Sequence, residues 1–345
     1  MLCAETWESG GVMNDPQDNG TFTVKRASSK TDTGKLRRAA WYTAALAVLG
    51  GVSLLAGFET ARKTLAAPND ENATPAASAA RAVSPVRMPV PEKNIEAELN
   101  KLPLQQRAER LLERAMQDDE RSLDLLRENV DSWRGHLKST DRLFDLVLAA
   151  LNSADLRVRT AAIDVDLAAN NLTKKPESVE RLLREMEADP ASIGMSLWRL
   201  GALGNRGVAP ETVLKSLRLY AHSRNEHTRY WAVEGLSMLG NDSTIDPLLQ
   251  MMAHDPSARV RELAASSLAQ GGMLTREERL AAVPHLLNFA DDDSLDAATR
   301  ELVYGTLRVI TGAELGNDAE AWREWWAHHD PAHERPRERA GVVRT

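Results

Sequence analysis

The chain has 345 residues, with a net charge of −7 and aromatics at only 5%, so it is long enough for one extended domain plus appendages. The single cysteine, Cys3, excludes an intramolecular disulfide framework. Residues 92–345 alone carry 33 Lys plus Arg against 42 Asp plus Glu, a net of about −9, which argues against phosphate-backbone binding and hence against a nucleic-acid partner.

Residues 1–38 are rich in Gly, Asn, Asp, Ser and Thr and lack an apolar stripe. They read as a disordered tail. No histidine occurs before His136, so a zinc-binding head is not expected there. The stretch Ala39 to Phe58, AAWYTAALAVLGGVSLLAGF, holds no charge. At 1.5 Å per residue its twenty residues span roughly 30 Å, the thickness of the hydrocarbon core of a bilayer. Trp41 and Tyr42 stand at its leading edge, and Lys35, Arg37 and Arg38 precede it. A transmembrane helix over 39–58 is expected, with the N-terminus cytoplasmic and the remainder outside the cytoplasm. A cleaved signal would have an apolar core shorter than this and nearer the start. That topology corresponds to a bacterial inner-membrane protein with a single pass. Residues 59–91, punctuated by Pro68, Pro75, Pro85, Pro89 and Pro91, read as an extended linker.

From 92 onward the pattern is helical. IEAELNKLPLQQRAERLLERAM and RSLDLLRENVDSW have amphipathic spacing, broken near Pro103 and Asp118-Asp119. Further on, a template R-x-x-A-x-x-x-L recurs. It is carried by Arg261, Ala264 and Leu268, and again by Arg229, Ala232 and Leu236. Looser copies are Arg300, Val303 and Leu307, then Arg159 and Ala162 with Asp166 in the leucine place. Aligning LGALGN at 200–205 with LSMLGN at 236–241 adds a fifth copy, with Ile193 where arginine would stand. The arginine places 159, 193, 229, 261 and 300 are 34, 36, 32 and 39 residues apart, a period that means stacked helix pairs. Pro176, Pro190, Pro210, Pro247 and Pro256 mark helix starts. No alternating strand pattern persists, so the expected class is all-α.

Asp155 with Arg159 and Asp255 with Arg261, an aspartate in the turn followed by an arginine in the second helix, resemble the HEAT-repeat family over about residues 139–311. The resemblance implies a right-handed α-solenoid of about five helix pairs over 92–328, with terminal caps, and leaves 329–345 as a loose tail. Two departures stand out: the arginine is missing at 193, and Asn225 replaces the turn aspartate. The aligned arginines are expected to form a ladder, each meeting a turn aspartate or a helix C-terminal carbonyl.

Chemistry is sparse. His328, His329 and His333 lack a fixed geometry for a metal, and the run Asp291–Asp293 lacks the spacing of a calcium loop. Tyr220, His222, His227, Tyr230 and Trp231 cluster without a nucleophile. There is no phosphate-binding loop, dinucleotide fingerprint, nucleophile elbow or H-E-x-x-H. No cofactor and no metal are therefore expected. The candidate partner-binding residues are Tyr230 and Trp231, with Trp322 and Trp326 on the last helix. The tryptophans also suit a cap that closes the end of the stack. The expected function is a non-enzymatic, membrane-tethered scaffold that holds a protein partner. Two alternatives are a HEAT-like lyase or lyase-type chaperone, and a transmembrane signalling or regulatory protein.

Overall fold

The computed structural model describes residues 92–330. The expected cytoplasmic tail, the apolar stretch 39–58, the linker to 91 and the end of the chain after 330 lie outside the described residues. Among the described residues, no helix is long and apolar enough to cross a membrane, and no strand occurs.

Helix α1 (Glu92–Leu99) leads into a series of helix pairs. The first is α2 (Leu104–Ala115) with α3 (Glu120–Asn129), and a 3-10 turn, Val130–Trp133, follows it. The second is α4 (Asp141–Leu151) with α5 (Leu156–Ala169), and the third α6 (Pro176–Ala188) with α7 (Ile193–Asn205). The fourth is α8 (Pro210–Ala221) with α9 (Glu226–Leu239), and the fifth α10 (Ile245–His254) with α11 (Ala258–Ala269). In the sixth, the short helices α12 (Arg276–Ala281) and α13 (Val283–Ala290) precede α14 (Ala297–Thr311); α15 (Ala319–His329) closes the series. Partners within a pair pack together, and the second helices α7, α9, α11 and α14 pack in sequence. This is a helical solenoid.

The repeated turns have a common local cause. Asp155, Asn225 and Asp296 stand just before α5, α9 and α14, and each side chain accepts a backbone N–H of the first turn. These bonds satisfy donors that a helix start leaves free. Asn225 makes the same kind of bond at 3.3 Å, longer than those of Asp155 and Asp296 at 2.8 and 2.7 Å, so the cap survives its substitution in the sequence pattern. At α11 the geometry differs from expectation. Asp255 accepts from Ser257 N, and the helix begins at Ala258 rather than at Pro256. The Asp255 carboxylate is also committed to Arg229, at 2.8 and 3.0 Å, which holds Pro256 outside the helix.

The arginine ladder is present in four of its rungs, the last being Arg300 with Asp293 in the turn before α14 at 3.6 Å. Arg229 reaches the buried Asp255 of the next pair, and Arg261 meets Asp296 of the next pair at 3.6 Å. Arg261 also donates to the carbonyl of Asp255 at 2.9 Å. Arg159 ends on carbonyls only. In the third pair Ile193, half-buried, opens α7 and no arginine occupies the corresponding place.

The apolar residues form two clusters. One joins α2–α5 through Leu111, Leu126, Val147 and Ala162. The larger runs from α4 to α15 through Leu148, Leu197, Leu236, Leu268, Leu307 and Trp322. Helices α4 and α5 contribute to both, with Leu148, Ile163 and Leu167 on the second cluster. Asp166, the acidic exception in the leucine place, is 3% exposed and bonded to Arg199 of α7 at 3.0 Å. A charged pair replaces a methyl contact at that joint.

Candidate interaction surface

Helix α9 is the centre of the stack. Every residue from Thr228 to Leu239 is buried, because α7 and α11 flank it and α8 and α10 lie against it. The α7–α9 contact is unusually close. A Cβ added to Gly201 would lie 2.0 Å from the carbonyl oxygen of Gly235, and one added to Gly235 would lie 2.6 Å from that of Leu197. Only glycine allows the two backbones this approach.

Tyr230 and Trp231 sit at the N-terminal half of α9, 3% and 2% exposed. Their rings meet edge to face at 6.3 Å. The indole Nε1 of Trp231 donates to His227 Nε2 at 3.0 Å. The guanidinium of Arg259, from α11, lies 4.4 Å above the Tyr230 ring, a cation–π contact. One turn along α9, Glu234 hydrogen-bonds Tyr230. Burial pushes the Glu234 carboxyl up to about 7, and the Tyr230 hydroxyl only partly opposes this. Burial likewise raises Tyr230, with the Glu234 charge adding to it. Burial first, and then the Arg259 charge, depresses His227. The cluster is thus a buried Tyr–Glu–Trp group carrying an exposed rim of His227 and Arg259, with Glu226 and Glu262 also exposed.

The expected contact residues therefore divide. Tyr230 and Trp231 are neighbours, but they support the rim rather than reach a ligand. Trp322 is fully buried, and its Nε1 donates to Gly316 O at 2.8 Å. Trp325 and Trp326 are half-buried against the large cluster, and Trp325 stacks on His329 with ring centroids 4.2 Å apart. The tryptophan helix closes the apolar end of the stack, as a terminal repeat requires. Trp326 alone of the four expected residues keeps a substantial open surface. Tyr220 and His222 lie on and just past the end of α8 and are not in the Tyr230 cluster's ring contacts.

Sequence reasoning passed over Glu234 and Arg259. The Tyr230-x-x-x-Glu234 spacing is a visible signal, since residues four apart share a helix face. Arg259 gave none, because its partner lies on a different helix.

A groove of about 600 Å³ elsewhere is lined by Glu98, Leu99, Glu109, Glu113, Arg114 and Arg142, among others. Its arginines are already paired: Arg142 meets Glu109 and Glu113 at 3.1 and 2.7 Å, and Arg114 meets Asp119 at 2.6 Å. Among the described residues, no group of three or more His, Cys, Asp or Glu is placed to hold a metal.

Residues 187–269 match the HEAT repeats family. The matched span runs from the end of α6 through α11, so it covers the stack that surrounds α9. No curated protein matches the chain.

Proposed function

We propose that the protein is a non-enzymatic scaffold: a right-handed HEAT-like solenoid held at a membrane by residues 39–58, presenting the exposed rim of α9 and α11 to a protein partner. The observation that carries this reading is the match of 187–269 to HEAT repeats, which commonly mediate protein interactions. Repeat stacks offer long continuous faces, and the rim residues His227, Arg259, Glu226 and Glu262 are exposed charged and polar groups on a rigid base. The charge-free stretch 39–58 and the basic residues before it support the anchor and an extracytoplasmic solenoid. The linker 59–91 would then let the solenoid search a radius of up to roughly 100 Å when stretched.

Two experiments test this. A reporter fused after Thr345 is expected to be active outside the cytoplasm and one near Gly20 inside it; activity of the Thr345 fusion in the cytoplasm overturns the orientation. A proximity-labelling enzyme joined to the full chain is expected to mark protein neighbours that a fusion to residues 1–91 alone does not, with Arg259→Glu losing them. Identical labelled sets from the full chain and from residues 1–91 sink the scaffold reading. Loss of the set only in variants away from the rim reassigns the face.

A further inference from the structure

A crevice of about 210 Å³ lies between the second helices of the first two pairs, with Leu123 and Leu126 of α3 on one side and Leu156 and Ala161 of α5 on the other. Helix spacing is its cause. The helices α7 and α9 close on each other through glycine, whereas neither α3 nor α5 contains one. Thr160 and Ala161, on α5, are too short to fill the gap that results.

The back of the crevice is apolar and its mouth is cationic. Leu123 and Leu126 are buried, while three guanidiniums, those of Arg127, Arg157 and Arg206, line the same space. They are not equally engaged. Arg157 is committed to Glu120 at 2.9 Å and Asp155 at 2.7 Å. Arg206, just past the end of α7, donates through Nε to the buried Asp164 at 3.1 Å. Lys174 meets the same carboxylate at 3.1 Å, so two cations already answer that one charge. Among the described residues, neither terminal nitrogen of Arg206 has a hydrogen-bond partner. Arg127 is exposed, and its nearest carboxylate, that of Asp124, stands 3.6 Å away.

This arrangement selects by charge and by size. The outer edge of a guanidinium is planar and matches the two oxygens of a carboxylate. A cation is repelled by the three arginines, and a neutral apolar group leaves their outer edges to water. An anion joined to an apolar body uses both parts of the site. A cavity of about 150 Å³ takes a benzene-sized group. A crevice of about 210 Å³ therefore suits one large side chain with a carboxylate beside it, and not a long chain. The last residue of a polypeptide carries those two groups on a single carbon, and its main chain can leave through the open mouth.

We propose that this crevice captures the C-terminal residue of a partner protein, with an aliphatic or aromatic side chain against Leu126 and Ala161 and the α-carboxylate on Arg206 and Arg127. The assignment rests on the reading of the stack as a protein-binding scaffold, and it adds a second contact separate from the α9–α11 rim.

The test is fluorescence anisotropy on the full chain with a labelled pentapeptide ending in leucine, offered as the free acid or as the C-terminal amide. The acid is expected to bind at least about ten-fold tighter, because the amide lacks the charge that pairs with the guanidinium. N-acetyl-leucine is expected to displace it, and N-acetyl-leucinamide is not. Arg206→Gln and Arg127→Gln are each expected to weaken the acid toward the amide. Ala161→Phe, which fills the crevice, is expected to abolish binding of the acid. Arg184→Gln, on α6 and paired only with Glu180, is expected to change nothing. Equal binding of acid and amide overturns the proposal, as does no binding of the acid at about 1 mM, the weak limit of a specific contact. If Arg206→Gln fails to fold, parent-like binding in both Arg127→Gln and Ala161→Phe overturns it. Displacement by octanoate at a concentration about ten-fold below that of N-acetyl-leucine overturns the choice of occupant in favour of a free acid. The labelled set of neighbours reads the scaffold separately, so a set that persists while the peptide acid fails to bind overturns this assignment alone.

Discussion

Glu234 shows how one buried residue can make a stack sensitive to pH. Its carboxyl lies on the most enclosed helix, 8% exposed, with Tyr230 as the hydrogen-bond partner. Its folded-state value of about 7 stands above the ordinary 4.5. Below pH 4.5 the group is protonated in both states, so the cost of burying its charge is absent. Between 4.5 and about 7 the unfolded chain releases the proton while the native protein keeps it, so stability falls as pH rises through this window. Above 7 the loss is complete and flat. A shift of this size corresponds to roughly 3 kcal/mol as an upper figure. Glu234→Gln is expected to remove this contribution to the pH dependence between pH 4.5 and 7. At pH 8 the variant is expected to be more stable than the parent. Denaturant midpoints across pH 4 to 9 provide the check, and a parent curve parallel to that of the variant rules out the assignment.

At the scale of helices, the α7–α9 crossing decides how tightly the middle of the stack is drawn together. Gly201 faces the backbone of Gly235, and Gly235 faces the backbone of Leu197 and the side chain of Leu217, so alanine at either needs its neighbours to shift. In an exposed helix, Gly→Ala gains roughly 1 kcal/mol of helix propensity. Here the expected sign is reversed. Gly235→Ala is expected to destabilise the protein by about 2–3 kcal/mol through overpacking, the upper part of the usual range for forced insertion. A midpoint equal to or above the parent's in denaturant unfolding contradicts the crossing. Nothing in the sequence marked these glycines as a contact. The run LGALGN resembles LSMLGN by composition, and that similarity located the repeat without revealing that Gly201 packs on Gly235, the residue just before the second run. Caps were easier to read: Asp155 and Asn225 act within three residues of themselves, so a local pattern contains them. The start of α11 was misplaced for a related reason. Asp255 bonds to Arg229, 26 residues earlier, and no window of a few residues includes both.

For the molecule as a whole, the repeat period gave the helical stack, while the division into two apolar clusters and the reach of Arg159 over 113 residues were beyond any periodic signal. That division bears on how damage spreads. Leu268 is 0% exposed and lies in the larger cluster with residues of α7, α9 and α14. Leu268→Ala is expected to cost about 2–5 kcal/mol, the range for a buried leucine whose cavity does not fully collapse. Arg259 is exposed one position before the buried Val260, but its stacking on Tyr230 raises the expected cost of Arg259→Ala to about 0.5–1 kcal/mol, above that of an ordinary surface change. The cost at 268 is not expected to be shared evenly. Neighbouring repeats hold each other, so amide protection should fall in α9, α11 and α14, whose core contacts with Leu268 are direct or one helix removed. Protection in α2 and α3 should change little, because their buried residues belong to the other cluster. Hydrogen exchange on the parent and the Leu268→Ala protein measures this. An equal loss of protection from α2 to α15 would make the described chain a single cooperative unit in which the two apolar clusters do not unfold separately.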